Sequence, residues 1–461
     1  MLELMGNRHP AHTRRVLMIA YDYPPSLEMG SQACAQIARY LPQYSWEPVV
    51  LTVRERHIDR MDIQPEQLFP RSILRTGRVP HPLTVYRWLK SRLRPSPEGT
   101  AAGYDFSRNS GALRRWVLSL LWVPDDCAGW IPPAILGGLR LCRSREIHHI
   151  FSSGPRWSNH VVALALSRLT GLSWTAHFRD PWSQDRRSKP VSALSTLIDS
   201  TLENLVLRNA TAVVCVTENH TAMLRQSHPE LPAGKFITIP NGYDEAEWEA
   251  LPPGRSGTGL VKDDKFVITY AGSFYCKRNP LPLFRALERL IDSGDLVPDR
   301  IRVDLVGWCD VAEGQPVTEM AARCGLGNCV QITGPLSRAD THRRLAHSNL
   351  LLLLAEELTH QIPGKTYEYL RASRPILALT SEGALAQLLR SIGGAWVVDP
   401  GDSPAITVAV LEAYRRWQDG LDGPVADQAA VAAFDRRMLA GRFARVFKIG
   451  CDFCRPSSIK N

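Results

Sequence analysis

Short, apolar-rich stretches punctuate the chain at 16–21, 147–155, 172–176, 212–216, 266–273, 301–307, 330–334, 350–354 and 375–379. Each is too short for a helix and reads as a strand, and the uninterrupted run at 350–354 has the length of a buried parallel strand. Between them lie stretches of helical composition. The pattern predicts helices ending near Tyr40 and over 158–170, 192–208, 277–291, 317–324, 337–348 and 365–372. A regular strand–helix alternation predicts a parallel sheet covered by helices, an α/β fold. The stretch EALPPGRSGTGLVKDD (249–264) is polar and rich in Pro and Gly, and the alternation restarts after it. The expected division is a disordered 1–13, a first Rossmann-like domain over 14–248, a linker at 249–264 and a second Rossmann-like domain over 265–430. A last helix and tail fill 431–461.

One region breaks the pattern. Residues 54–124 read as a basic helical insertion in the first domain. The formal charge of the 461-residue chain is +9. Arg71–Pro124 holds ten Lys or Arg against Glu98 and Asp105, an excess of eight that covers nearly the whole imbalance. LTVYRWLKSRLR (83–94) and LRRWVLSLLWVP (113–124) join basic residues to Trp and Leu. That mix suits an anionic membrane surface, with 81–124 as the contact; the alternative is a solvated helical hairpin. No nucleic-acid motif accompanies it, so no nucleic-acid partner is expected.

Composition adds bounds. Hydrophobic residues make up 44% and charged residues 22%, ordinary for a soluble globular protein. No run approaches the roughly 18 apolar residues of a membrane span. Arg14–Arg15 before VLMIAY has the look of a leader, but Asp22 and Pro24–Pro25 cut the run short, so a cytoplasmic protein is expected. Cys34, Cys142 and Cys215 lie in apolar segments and read as buried thiols. Cys451 and Cys454 form a single CxxC with no second pair, so zinc is not expected.

Candidate chemistry gathers where strands end. EELTHQIPGKTYEYLRASRPILAL (356–379) follows an apolar strand, and Pro363–Gly364 break the backbone before a helix opening with Lys365. A helix start offers free N–H groups and the positive end of its dipole to an anion, and Lys365 adds a cation. Glu368, one turn in, is placed to accept from sugar hydroxyls. In YDYPPSLEMGSQ, Gly30–Ser31 open a helix after the first strand. FVITYAGS ends in Gly272–Ser273 and leads to Lys277 and Arg278. HFRDPW (177–182) places His177, Arg179 and Asp180 at another strand end. Each has a bland reading: a solvated helix start for Lys277 and Arg278, and a loop-locking Arg–Asp pair for Asp180. His160 reads as structural.

In order, YDYPP, FRDPW, IPNGYD, AGS…KR and PGKTYEYL resemble the pieces of GT-B glycosyltransferases of the family-4 type, the group 1 transferases. The resemblance covers most of 16–447 outside 54–115. SSGPRWSNHVVALALSRLTGLSWTAHFRDPW resembles the subset building surface polysaccharides. It implies two Rossmann-like domains facing across a cleft, with a nucleotide-sugar donor bound there. Glu368 matches the second glutamate of the family's E-x7-E motif, which holds the nucleotide ribose. His360 stands where the first glutamate is usual, and Ser273 where arginine is frequent. By the same resemblance His177, Asp180 and His360 are the catalytic candidates. Gly30, Ser31, Arg179, Gly272, Ser273, Lys277, Arg278, Gly364, Lys365 and Glu368 are the donor-binding set.

The implied activity is a metal-independent, retaining transfer of a hexosyl group, without covalent intermediate or cofactor. The acceptor is a lipid-linked sugar or growing polysaccharide, and the setting surface or exopolysaccharide biosynthesis on the inner face of the membrane. Two alternatives stay open: a nucleotide-sugar epimerase on the same fold, and a catalytically silent GT-B subunit that binds a partner.

Overall fold

Leu350–Ala355, reading LLLLLA, is buried at every position, as expected of a strand with helices on both of its faces. The computed structural model describes residues 13–58, 72–80, 112–183, 192–250, 264–274, 277–356 and 358–453. The 83–94 segment, most of the 249–264 linker and Cys454 lie outside them.

The chain divides into two units. Unit 1 comprises 1–216, 220–239 and 439–461; unit 2 comprises 217–219 and 240–438. Unit 1 is built on seven parallel strands: β1 (Arg14–Ile19), β2 (Trp46–Val53), β3 (Ile73–Thr76), β4 (Ile147–Gly154), β5 (Ser173–Phe178), β6 (Ala212–Cys215) and β7 (Phe236–Thr238). Their order is β3-β2-β1-β4-β5-β6-β7. Unit 2 has β8 (Phe266–Ala271), β9 (Ile301–Val306), a small hairpin of β10 (Val311–Ala312) and β11 (Gln315–Pro316), then β12 (Val330–Gly334), β13 (Leu350–Ala355), β14 (Ile376–Thr380) and β15 (Ala395–Val398). Its parallel sheet runs β12-β9-β8-β13-β14-β15. Both sheets are Rossmann-like. In each, strand order reverses once, at β1/β4 in unit 1 and at β8/β13 in unit 2. The loops leaving those paired strands diverge and open a crevice, where α/β proteins place ligands.

Core packing follows the pattern of the runs. In unit 1, Leu17, Ile19, Val49, Leu51, Trp130 and Trp174 fill one face, and Val16, Met18, Val50 and Phe151 fill the other. Phe443 and Phe447, from the final helix Arg436–Phe453, pack into that second cluster. In β4, His149 is fully buried between the hydroxyls of Ser173 (2.7 Å) and Thr175 (2.8 Å). Burial pushes its pKa down to about 3, so it serves as a neutral core residue. His160 is likewise buried, with Nδ1 2.7 Å from Ser152 Oγ.

Two differences from the sequence reading have physical causes. Residues 73–76 lie within the expected helical insertion but form β3, an edge strand parallel to β2. ILRT is only four residues, interrupted by Arg75, so it makes no apolar run; Arg75 turns its guanidinium to the Pro24 carbonyl (2.7 Å). Helix Ala112–Leu121 is present in the same region. Residues 240–248, grouped by pattern with the first domain, cluster with unit 2. Trp248 stacks on His342 with centroids 4.4 Å apart, and Glu245 pairs with Arg371. Those contacts join segments about a hundred residues apart, beyond the reach of local pattern.

Candidate functional site

In unit 2 the crevice between β8 and β13 is lined from both loops. Gly272 ends β8 with φ +140°, a conformation L side chains rarely adopt. Its N–H donates to the Val306 carbonyl (2.8 Å). Helix Lys365–Arg371 follows β13 through the loop bearing His360 and Gly364. Lys365 reaches back across the switch point: Nζ donates to the Ala271 carbonyl (2.8 Å) and lies 3.7 Å from the centroid of the Tyr270 ring. A methyl group at Gly272 would sit 2.6 Å from that Nζ. On the other side, a methyl at Gly307 would sit 2.1 Å from the Gly272 carbonyl oxygen. Two glycines therefore let the backbone and the ammonium come together.

Among the described residues no carboxylate lies within ion-pair distance of Lys365. Burial drives its pKa well below the usual lysine value, and the charge of Arg278 pushes the same way. Arg278 thus adds its field to this crevice. Lys277, exposed, takes a left-handed φ of +60° in the same loop. The Ser273 carbonyl accepts from the Tyr270 hydroxyl (3.0 Å), which fixes the loop onto the ring beneath Lys365.

Glu368 lies one turn along. Its Oε1 accepts from Arg338 Nη2 (3.1 Å), and His342 Nε2 is 4.0 Å away. Burial alone would raise the carboxyl pKa, but the charge and hydrogen bond of Arg338, with His342 nearby, hold it down, at about 2. Arg338 also donates to Glu247 Oε2 (2.9 Å from Nε). His360 is half-buried, and its Nδ1 has no hydrogen-bond partner among the described residues.

Unit 1 gathers the other candidates. Gly30, in the first turn of helix Met29–Tyr40, lies under the Arg179 guanidinium; a methyl there would meet Nη2 at 2.3 Å. Arg179 is aimed by its own bond, Nε to the Gly154 carbonyl (2.8 Å). Beside Gly30, Ser31 is fully buried and its hydroxyl has no partner among the described residues. Trp182 secures the loop by stacking on Trp157 (4.9 Å, 3°) and donating to Asp199 (3.1 Å). Asp180 is half-buried on that loop. His177 is placed differently from Arg179 and Asp180. Only 2% exposed, it is bonded through Nδ1 to Ser153 Oγ (3.1 Å) and packed against Phe151 and Phe443. Residue 177 still belongs to β5, which is buried at every position.

Several neighbours carry no sequence signal of their own. Arg338, His342, Tyr270 and Gly307 are among them, though a glycine closing an apolar strand, as in IRVDLVG, marks Gly307 in retrospect. Arg156, with φ +75°, bridges Asp22 (3.0 Å) and Asp126 (2.8 Å) at the β1/β4 switch point of unit 1. Asp125, Asp126 and Cys127 are spaced to share a cation. Asp125, however, already accepts from Ser158 N–H and Oγ, and Asp126 from Arg156, which reads as an ion-pair network.

Residues 265–416 match the model of a family described as glycosyl transferases group 1. No curated protein matches. Solved structures similar to the chain include a glycosyltransferase from Rickettsia africae (14% identity, TM-score 0.58, covering 95% of this chain and 98% of that one). Anabaena HepE, solved with UDP and glucose, matches at 15% identity and TM-score 0.62, covering 95% and 100%. A Listeria monocytogenes protein described as a putative UDP-N-acetylglucosamine 2-epimerase matches at 13% and 0.54, covering 95% and 97%. At these identities the structures show the fold, GT-B, and do not choose between transfer and epimerisation. The family match, to glycosyl transferases, spans residues 265–416, about a third of the chain.

The glycine geometry makes a prediction. Gly272→Ala should destabilise the chain by about 1–3 kcal/mol from backbone strain and displace Lys365. Gly294→Ala, at φ +78° with open space around it, should cost about 1 kcal/mol. Equilibrium denaturation ranks the two, and only Gly272→Ala should also weaken nucleotide binding.

Proposed function

On the premise that residues 265–416 make this a group 1 glycosyltransferase, we propose that unit 2 holds the diphosphate and ribose of a nucleotide-sugar donor. The observation that carries the reading is Lys365: a half-buried cation at a helix start, at the switch point, with no carboxylate within ion-pair distance among the described residues. A nucleoside diphosphate supplies the missing negative charge. Lys365, Arg278, Lys277 and the N–H groups around Gly272 and Gly364 then stabilise charge growing on the leaving diphosphate, so the chemistry needs no metal or cofactor. Glu368, kept ionised, accepts from the ribose hydroxyls. Ser273 adds a hydroxyl where a further cation would strengthen the grip.

In unit 1, Gly30, Ser31 and Arg179 form a second anion point, and Asp180 with Arg179 faces the transferred sugar. His177 acts from behind, by fixing the strand end. His360, with its unpartnered Nδ1, is the candidate to contact the donor sugar. UDP and glucose in HepE, a protein of the same fold, support a UDP-hexose as the first donor to try. Transfer with retention to a lipid-linked or polysaccharide acceptor, in surface-polysaccharide synthesis, completes the reading.

A membrane-facing acceptor also draws support from unit 1. Trp116 and Val117 of helix Ala112–Leu121 are exposed, as are Leu194 and Leu197 of helix Ala193–Asn209. Ser119 and Ser192 hydroxyls, 2.7 Å apart, tie the two regions. With the basic stretch 81–115 preceding, the patch suits peripheral contact with anionic lipid on the inner face of the membrane. Among the described residues no helix is long and apolar enough to cross one.

Two measurements check these readings. In a thermal-shift panel of UDP-, GDP-, ADP- and dTDP-sugars, one nucleotide should stabilise the wild type by several degrees and leave Glu368→Ala unmoved; no response to any of them sinks the donor site. In sedimentation with vesicles, Trp116→Glu/Leu197→Glu should lose binding to anionic lipid, while equal binding by variant and wild type removes the membrane role.

A further inference from the structure

The bridge Glu247–Arg338–Glu368 points to a residue that no motif marks. We infer that Arg338 is a positioning residue for the donor site, holding the Glu368 carboxylate oriented to receive the ribose, and that Glu247 holds Arg338 in turn. The inference rests on the donor reading above.

The geometry is specific. Arg338 opens helix Arg338–His347, and its guanidinium meets both acids: Nη2 lies 2.5 Å from Glu247 Oε2 and 3.1 Å from Glu368 Oε1. Glu247 belongs to the short helix Glu245–Glu249, fixed independently by Arg371, which pairs with Glu245 and lies 5.4 Å over the Trp248 ring. Trp248 stacks in turn on His342, the second group facing Glu368. The carboxylate is therefore set by a chain of contacts that begins in residues 244–249, well away from the Lys365 loop in sequence.

Among the described residues the contacts made to Glu368 converge on Oε1, which leaves Oε2 to accept. A carboxylate gripping a vicinal diol must be ionised and must not rotate. A guanidinium on one oxygen secures both, and a planar fork does so better than an ammonium. The groups acting on Glu368 are Arg338 and His342 from the facing helix, Glu247 behind Arg338, and Lys365 on its own helix. Removing Arg338 leaves burial to push the Glu368 pKa up, opposed among the described residues by His342 and Lys365. A carboxyl that takes up a proton loses acceptor capacity, so ribose binding should then weaken as pH falls.

The test is titration of the full chain with UDP, GDP, ADP and dTDP, followed by the tightest of them on variants. Each variant is read as its Kd relative to wild type at the same pH between about pH 5 and about pH 8, because the diphosphate itself titrates in that range. Arg338→Met should weaken Kd by about tenfold at neutral pH and progressively more toward about pH 5. Arg338→Lys should recover part of the loss. Arg338→Met/Glu368→Gln, which has no carboxylate to titrate, should be weak and flat. An Arg338→Met profile that matches wild type overturns the inference. So does a loss that is uniform with pH and not relieved by lysine, which marks Arg338 as a fold-stabilising residue only. If wild type binds none of the four, the donor reading itself fails, and this inference with it.

Discussion

A half-buried lysine ammonium, with an aromatic face beneath it and a main-chain carbonyl for its partner, sets the terms for unit 2. Desolvating a cation without an opposing carboxylate costs free energy that the fold must supply elsewhere. The surroundings show where it comes from. The Tyr270 ring offers its negative face, the Ala271 carbonyl accepts, and the all-apolar β13 with its neighbours fixes the register of both loops. Gly272 and Gly307 are required because any side chain there would collide with the ammonium or with the backbone.

Much of this was legible in the chain, for a local reason. Continuous runs such as LLLLLA and FVITYA are buried by their own composition, so they announce strands. Pro363–Gly364 before a helical stretch announces a loop that exposes a helix start. Gly30, Gly272, Lys365 and Glu368 were therefore visible as candidates. What stayed hidden depends on distance in sequence. Arg338 gains meaning only when the helix it opens lies against Glu368, and Tyr270 only when Lys365 lands on its ring. His177 shows the converse: the motif marks the strand end, but residue 177 still lies within β5, buried at every position, and Arg179 and Asp180 follow on the half-buried loop. β3 was missed because four residues with an arginine among them make no run.

The two units repeat one arrangement with different chemistry. At the β8/β13 switch point a cation is kept with no carboxylate in ion-pair reach among the described residues. At the β1/β4 switch point Arg156 is held between Asp22 and Asp126, while Arg179 leans over the Gly30 backbone. An unpaired cation suits an anionic ligand, and an acid-paired arginine suits hydroxyl groups.

The central claim, that Lys365 waits for the charge of a nucleoside diphosphate, has a direct thermodynamic signature. A lysine whose pKa is lowered in the free protein must take up a proton when a diphosphate restores it toward the ordinary value of 10.5. Titration calorimetry at about pH 9, in buffers of different ionisation enthalpy, measures that uptake for whichever nucleotide stabilises the chain. Net uptake by wild type that disappears in Lys365→Met is the expected result. Equal proton exchange in wild type and Lys365→Met would contradict it.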